Sequence, residues 1–178
     1  MLPPGHVAAG FLVAKGLLNI TKPPLDPYQI NNLMWWGVFF GFAPDLDTFI
    51  AFALEKSFTV NKQQNNHRKF FSHAPIIWLI IGLMIFFLAH STYIKCIGLL
   101  VWLGSWSHFL LDSIDYGIMW LWPFNKKVYA LRNREIVFPL PRESFFLYWI
   151  TFIKYYVKSK TFYTELAILV VSVLILIK

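Results

Sequence analysis

Residues 95–112 read KCIGLLVWLGSWSHFLLD. Between Lys95 and His108 no residue carries a formal charge. Lys95–Leu111 is long and apolar enough for a transmembrane helix, which needs about 17–25 mostly apolar residues. His108 and Asp112 stand four apart at its far end, so on a helix they share one face. Ionisable groups in or beside a hydrocarbon-bound helix are costly unless paired, hydrated or bound to something. The stretch therefore predicts a helix in a bilayer with a polar site at one end.

The rest of the chain repeats this pattern. Gly5 to Ile20 is apolar but short, and Asn32 to Leu54 is long enough but interrupted by PDLD at 44–47. Pro75 to Ala89 is strongly apolar and extends to Tyr93, and Phe162 to Ile177 closes the chain. Ser144 to Val157 is aromatic, shorter and flanked by charge, and is expected to lie in the interface rather than cross it. Of 178 residues, 57% are hydrophobic and 14% charged, where soluble domains average about 45–50% and about 25%. The expectation is an all-α integral membrane bundle of about five spans plus an interfacial segment, forming a single domain over 1–178. The start MLPPGHVAAG lacks a basic n-region, so the first apolar helix is expected to stay in the mature protein. The lone cysteine, Cys96, can form neither an internal disulfide nor a cysteine metal cage; it reads as a small buried hydrophobe.

The net charge of +7 is concentrated in three places. Residues 55–74 hold Lys56, Lys62, Arg68 and Lys69; residues 125–143 hold Lys126, Lys127, Arg132, Arg134 and Arg142; Lys154, Lys158 and Lys160 precede the last span. The tight hairpin from His90 to Lys95 has one lysine. The positive-inside rule puts the basic loops in the cytoplasm and the hairpin outside. Nucleic-acid binding is the weaker reading of this charge, because the basic residues flank apolar helices and form no recognised nucleic-acid module. This topology follows from Lys and Arg alone. It brings His6, Asp45, Asp47, His67, His73, His108 and Asp112 to one side of the membrane, while His90 lies at the other.

Each motif also has a plainer reading. His108 and Asp112 can form a metal-binding pair or a helix-end hydrogen bond. Pro44 favours a break, after which Asp45 and Asp47 can reach neighbouring positions, or one of them can start the helix TFIAFAL as its N-cap. His67 and His73 in HRKFFSH can be ligands or ordinary loop residues. Arg68 offers a fork for phosphate or carboxylate, or a headgroup contact. Ser72 has no triad spacing and reads as a support or cap rather than a nucleophile. DYGIMWLWPF at 115–124 carries interface aromatics, and its Asp115 is a lesser candidate for the site.

The ordered set His6, PDLD, HRxxxSH, HxxxD and YG…WPF resembles the YdjM-like family of membrane proteins over residues 3–125. That family is also labelled LexA-binding. The chain departs from the family pattern around Arg68, where Lys69 and Ser72 stand. The resemblance implies a metal-dependent hydrolase of the bacterial inner membrane, with His6, Asp45, Asp47, His67, His73, His108 and Asp112 as site positions.

Imidazole and carboxylate together suit Zn, Mn or Fe better than Ca or Mg. Seven N/O ligands exceed what one four-coordinate zinc needs, so one or two divalent transition-metal ions, Zn or Mn foremost, are expected. The leading expectation is hydrolysis of a phosphoester or lipid-like amphiphile at the cytoplasmic face. Asp47, His73 and Arg68 are the residues expected to carry the chemistry, and Arg142 is a further candidate for neutralising phosphate. The partners expected are membrane lipid and an amphiphilic or phosphorylated small molecule. The rivals are a non-enzymatic metal-binding protein and a membrane adaptor acting through Lys126, Lys127, Arg132 and Arg134.

Overall fold

The computed structural model describes residues 2–55, 70–114, 117–131 and 144–177. Within them the chain forms helices α1 (Pro3–Thr21), α2 (Pro27–Phe42), α3 (Asp47–Glu55), α4 (Pro75–Leu88), α5 (Thr92–Asp112), α6 (Phe145–Tyr156) and α7 (Lys160–Leu176). Single 3-10 turns at Ala43–Leu46 and Phe71–His73 precede α3 and α4. One antiparallel bridge joins Ile118 to Tyr129, and no strand is present among the described residues. The fold is all-α, as expected.

Proline punctuates this architecture. Pro3, Pro27 and Pro75 open α1, α2 and α4, where the missing N–H costs nothing and the fixed φ suits a first turn. Lys22 ends α1 in the left-handed conformation, with φ 42°, and the following Pro23 and Pro24 prevent continuation. The apolar run from Asn32 to Leu54 is broken where expected, with a 3-10 turn over Ala43–Leu46 and a new helix from Asp47. The hairpin between α4 and α5 is tighter than expected: α4 stops at Leu88 and α5 already starts at Thr92. Tyr93 and Lys95 therefore belong to the second helix.

The helices touch through small residues. A Cβ on Gly41 would lie 2.5 Å from the His6 carbonyl oxygen, and one on Gly37 would press on Ala14. In α4 and α5 a Cβ on Gly82 would lie 2.6 Å from the Gly98 carbonyl oxygen. Such backbone-to-backbone approach suits helix packing in a bilayer, where close van der Waals contact replaces the hydrophobic effect. Ala14, Leu18, Leu33, Cys96 and Leu100 form the buried core joining α1, α2 and α5.

These contacts also fix direction. Gly41 near the end of α2 meets His6 near the start of α1, so the two helices are antiparallel. Trp106 near the end of α5 donates its indole N–H to the carbonyl of Pro75, the first residue of α4, at 3.0 Å. Glu165 near the start of α7 meets Gly5. One end of the bundle thus gathers the starts of α1, α4 and α7 and the ends of α2 and α5.

Large apolar side chains cover the outside. Trp35, Phe49, Met84, Phe87, Leu88, Ile150 and Leu176 are all exposed. In water such a surface would drive association; against lipid it is the expected one. Among the described residues α5 is the one helix that is both long and apolar enough to cross a membrane unaided. α4 is apolar but shorter, and α6 and α7 pass the same test only as a pair bent by 82°. Length and composition therefore support one or two spans, fewer than the five expected.

Candidate metal centre

At the gathered end, six side chains meet. His6 comes from the first turns of α1, Asp45 from the 3-10 turn after α2, and Asp47 from the start of α3. His73 ends the 3-10 turn before α4, and His108 and Asp112 occupy the last turns of α5. His6, His73, His108 and Asp112 are fully buried. The Asp45 side chain is the open edge of the group, at 12% exposure.

Two of the imidazoles are oriented from behind. His108 Nδ1 lies 3.0 Å from the carbonyl oxygen of Gly41. A carbonyl can only accept, so Nδ1 carries the proton and the Nε2 lone pair faces inward. His73 Nδ1 lies 2.7 Å from Asp47 Oδ2, and the same oxygen accepts the Ser72 hydroxyl at 2.5 Å. The carboxylate therefore favours the Nδ1–H tautomer of His73 and turns its Nε2 inward. Both Nε2 atoms converge on Asp45 Oδ1, His73 at 3.6 Å and His108 at 3.5 Å. The His73 turn is itself pinned, because Trp78 donates its indole N–H to the Ser72 carbonyl at 2.7 Å.

Asp45, His73, His108 and Asp112 each offer one ligand atom, all within 4.8 Å of one another. His6 flanks this group. Its ring stacks on His108 with centroids 3.8 Å apart, and its Nε2 lies 3.4 Å from Asp112 Oδ1 and 3.9 Å from Asp45 Oδ2. Burial by itself lowers the His73 pKa, but hydrogen bonds to Asp45 and Asp47, with the charges of Asp47 and Asp112, outweigh it and raise the pKa overall. The carboxylates around His73 thus favour positive charge at that ring.

The group fits a divalent metal on its own chemistry. His6 Nδ1 and Nε2 and His108 Nε2 are buried without a hydrogen-bond partner. Buried polar atoms in native proteins are nearly always satisfied. Two imidazoles and two carboxylates form a mixed N/O set that suits Zn, Mn or Fe. His73 is backed by a carboxylate and His108 by a carbonyl, an arrangement that orients metal-bound histidine.

Of the expected site residues, the structure brings together His6, Asp45, Asp47, His73, His108 and Asp112. Within that set Asp47 stands behind His73 rather than in the four-residue group. His67, Arg68, Asp115, Arg132, Arg134 and Arg142 lie outside the described residues. Lys126 and Lys127 are exposed, and Lys127 sits over the Tyr129 ring at 5.7 Å. His90 is exposed in the hairpin at the other end of α4. Two contributors had escaped the sequence reading. One is the Gly41 carbonyl, a backbone group with no residue signature. The other is Glu165, buried against the start of α1, whose signal was legible as the lone acid in the last apolar run.

Helices with small-residue contacts, a lipid-like exterior and a buried His/Asp cluster at one end define a helical membrane protein able to hold a metal. The chain matches the family model described as "YdjM inner membrane protein" over residues 1–178 and belongs to that family. It is accordingly an inner-membrane protein. No curated protein and no solved structure matches it.

Proposed function

We propose that this chain is a membrane-bound, metal-dependent hydrolase acting on a phosphoester or similar amphiphile at the cytoplasmic face. The observation that carries the reading is the convergence of His73 Nε2 and His108 Nε2 on Asp45 Oδ1, with each ring held from behind. Asp45, His73, His108 and Asp112 would hold the ion, with His6 beside them. The chemistry available to a divalent ion held there would be polarisation of a scissile ester and a lowered pKa, about 7, for a coordinated water.

The chain's own residues divide the remaining work. Asp47 fixes the His73 tautomer and is steadied by Ser72. Gly41 does the same for His108 through its carbonyl. Asp45, the least buried member of the group, marks the side from which water and substrate would reach it. Arg68, next to His67 in sequence, would neutralise a phosphate. The apolar exterior lets an amphiphile approach laterally from the bilayer.

The finer membrane arrangement belongs to the same reading. α1, α2, α4, α5 and α7 act as the five spans, and α6 lies along the interface. The 82° bend between α6 and α7 supports that placement of α6. The bias of Lys and Arg supports a cytoplasmic site. Cysteine labelling in a Cys96→Ser background tests the orientation: positions 62 and 127 should label from the cytoplasm only, and labelling from outside overturns it.

The test of function is a screen of phosphatidic acid, other lipid phosphates and model phosphodiesters with protein loaded with Zn or Mn. Turnover should depend on the metal and vanish in Asp45→Asn. Absence of cleavage, with the protein's cellular effect abolished by substitution of the basic loops alone, favours the adaptor role.

A further inference from the structure

The first turn of α1 contains two prolines and no cap of its own. An α-helix leaves four N–H groups without an intrahelical acceptor at its start. Here those positions are Leu2, Pro3, Pro4 and Gly5. The prolines have no N–H to satisfy, which leaves Leu2 and Gly5. No side chain of α1 caps them, and no acid lies in the first turn.

Both are met by one residue from the other end of the chain. Gly5 N–H donates to Glu165 Oε1 at 3.0 Å, and Leu2 N–H to Glu165 Oε2 at 3.5 Å. Gly5 N–H also lies 3.2 Å from the Leu2 carbonyl, the ordinary contact of a first turn. The Tyr156 hydroxyl donates to the same Oε2. Glu165 is 3% exposed and Tyr156 5%, so these bonds stand in a low-dielectric setting where each counts for more. A negative charge at this position also complements the helix dipole. Gly5 leaves room for the carboxylate: an added Cβ would lie 2.7 Å from Glu165 Cγ. Residue 6, directly after this turn, is His6.

We infer that Glu165, braced by Tyr156, is a positioning residue of the metal centre. It fixes the first turn of α1 and so holds His6 against His108 and Asp112. The C-terminal pair α6 and α7 is then part of the site, because the centre is completed only when this pair docks on α1. The inference rests on the metal-centre reading for its purpose, while the clamp on His6 is testable without metal.

The test has two arms on detergent-purified full-length protein. In the metal-free arm, each histidine's carbethoxylation by diethylpyrocarbonate is followed by mass spectrometry. His6 should be protected in the wild type. Glu165→Ala should raise its reaction rate at least tenfold while His73 and His108 stay protected. Glu165→Gln keeps the volume and one acceptor oxygen and should fall between the two. Gly5→Ala attacks the same contact from the other partner and should expose His6 as well, which keeps the test decisive if Glu165→Ala fails to fold. Unchanged His6 protection in Glu165→Gln and Gly5→Ala overturns the inference, as does simultaneous exposure of all three histidines, which marks general loosening. In the second arm, Co2+ is the probe. Glu165→Ala should weaken its binding at least tenfold and shift its visible absorption, with Tyr156→Phe weaker in the same direction. Wild-type protein that takes up no Co2+ sinks the metal-centre reading alone, and the first arm still decides the clamp.

Discussion

Helices α1 and α2 lie side by side, and their two ends are built on different rules. Where α2 begins, Asp26 accepts from the Gln29 N–H at 2.8 Å and the Gln29 side chain accepts from the Asp26 N–H at 3.3 Å. This is a complete capping box made of residues three apart, exposed and self-sufficient. Where α1 begins, the matching pair of N–H groups is capped by Glu165, 160 positions beyond Gly5. The first end forms from local sequence alone. The second exists only in the assembled bundle, and it is the end that carries His6, Gly41 and Asp45. The His/Asp group thus stands where structure is most conditional, so its assembly depends on the whole fold.

The strongest way to break this contrast is to empty the conditional end of its ligands. His108→Ala with Asp112→Ala removes one imidazole and one carboxylate from the group of four. Metal content measured by mass spectrometry should fall from near one or two ions per chain to near zero. Helix content should persist, because both positions lie within α5 and alanine favours a helix. Metal retained by the double variant would move the centre elsewhere.

A second intervention separates packing from ligation. Gly41→Ala adds a methyl group 2.5 Å from the His6 carbonyl oxygen and 2.8 Å from Gly10 Cα. Backbone cannot yield as a side-chain tip can, so α1 and α2 must part. Overpacking of this kind costs about 1–3 kcal/mol. The displacement also moves the carbonyl that orients His108. Thermal midpoint and metal affinity should therefore fall together. A loss of stability with unchanged affinity would show that the Gly41 carbonyl is not needed to aim the ring.

Asp26→Ala probes the autonomous end. It removes the side-chain half of the capping box, a loss of about 1 kcal/mol. Metal content should not change, since no described residue at that end belongs to the cluster. An effect on metal binding would mean that the two ends communicate through α2, and the contrast drawn above would fail.

Much of the site was legible because membrane helices alternate in direction. Once the runs at 5–20, 32–54, 75–89 and 95–111 are taken as successive passes, parity alone brings His6, Asp45, His73, His108 and Asp112 to one end. Residue chemistry does the rest, since His and Asp in apolar surroundings are costly unless paired or bound to something. The inner division of labour was not legible. Whether Asp47 faces the centre or backs His73 depends on two 3-10 turns and a tautomer, which no spacing rule encodes. Glu165 was visible only as an isolated acid. Its partners are backbone N–H groups, and these leave no mark in the sequence except the prolines that thin their number. The number of spans is less legible for a related reason. Apolar runs mark which segments avoid water, whereas crossing a bilayer also requires length, which α4 lacks by itself.

The smallest expected effect sharpens the comparison most cleanly, because it changes one methyl group. Gly16 lies in α1, beyond the glycine contacts that join it to α2, and an added Cβ there meets nothing within 4 Å. Gly inside a helix is less favourable than Ala by about 0.8–1.0 kcal/mol, largely because the unfolded chain loses freedom it would otherwise keep. Gly16→Ala should therefore stabilise the protein by about 0.5–1 kcal/mol, read as a higher thermal midpoint with metal affinity unchanged. The same substitution at Gly41 should do the opposite on both counts. The two variants share chemistry and differ in where along the helix pair the methyl is placed. If both stabilise, the close approach of α1 and α2 at the site end is not a constraint. If both destabilise, glycine serves this pair of helices along its whole length, and the division between a tolerant end and a conditional end has to be abandoned.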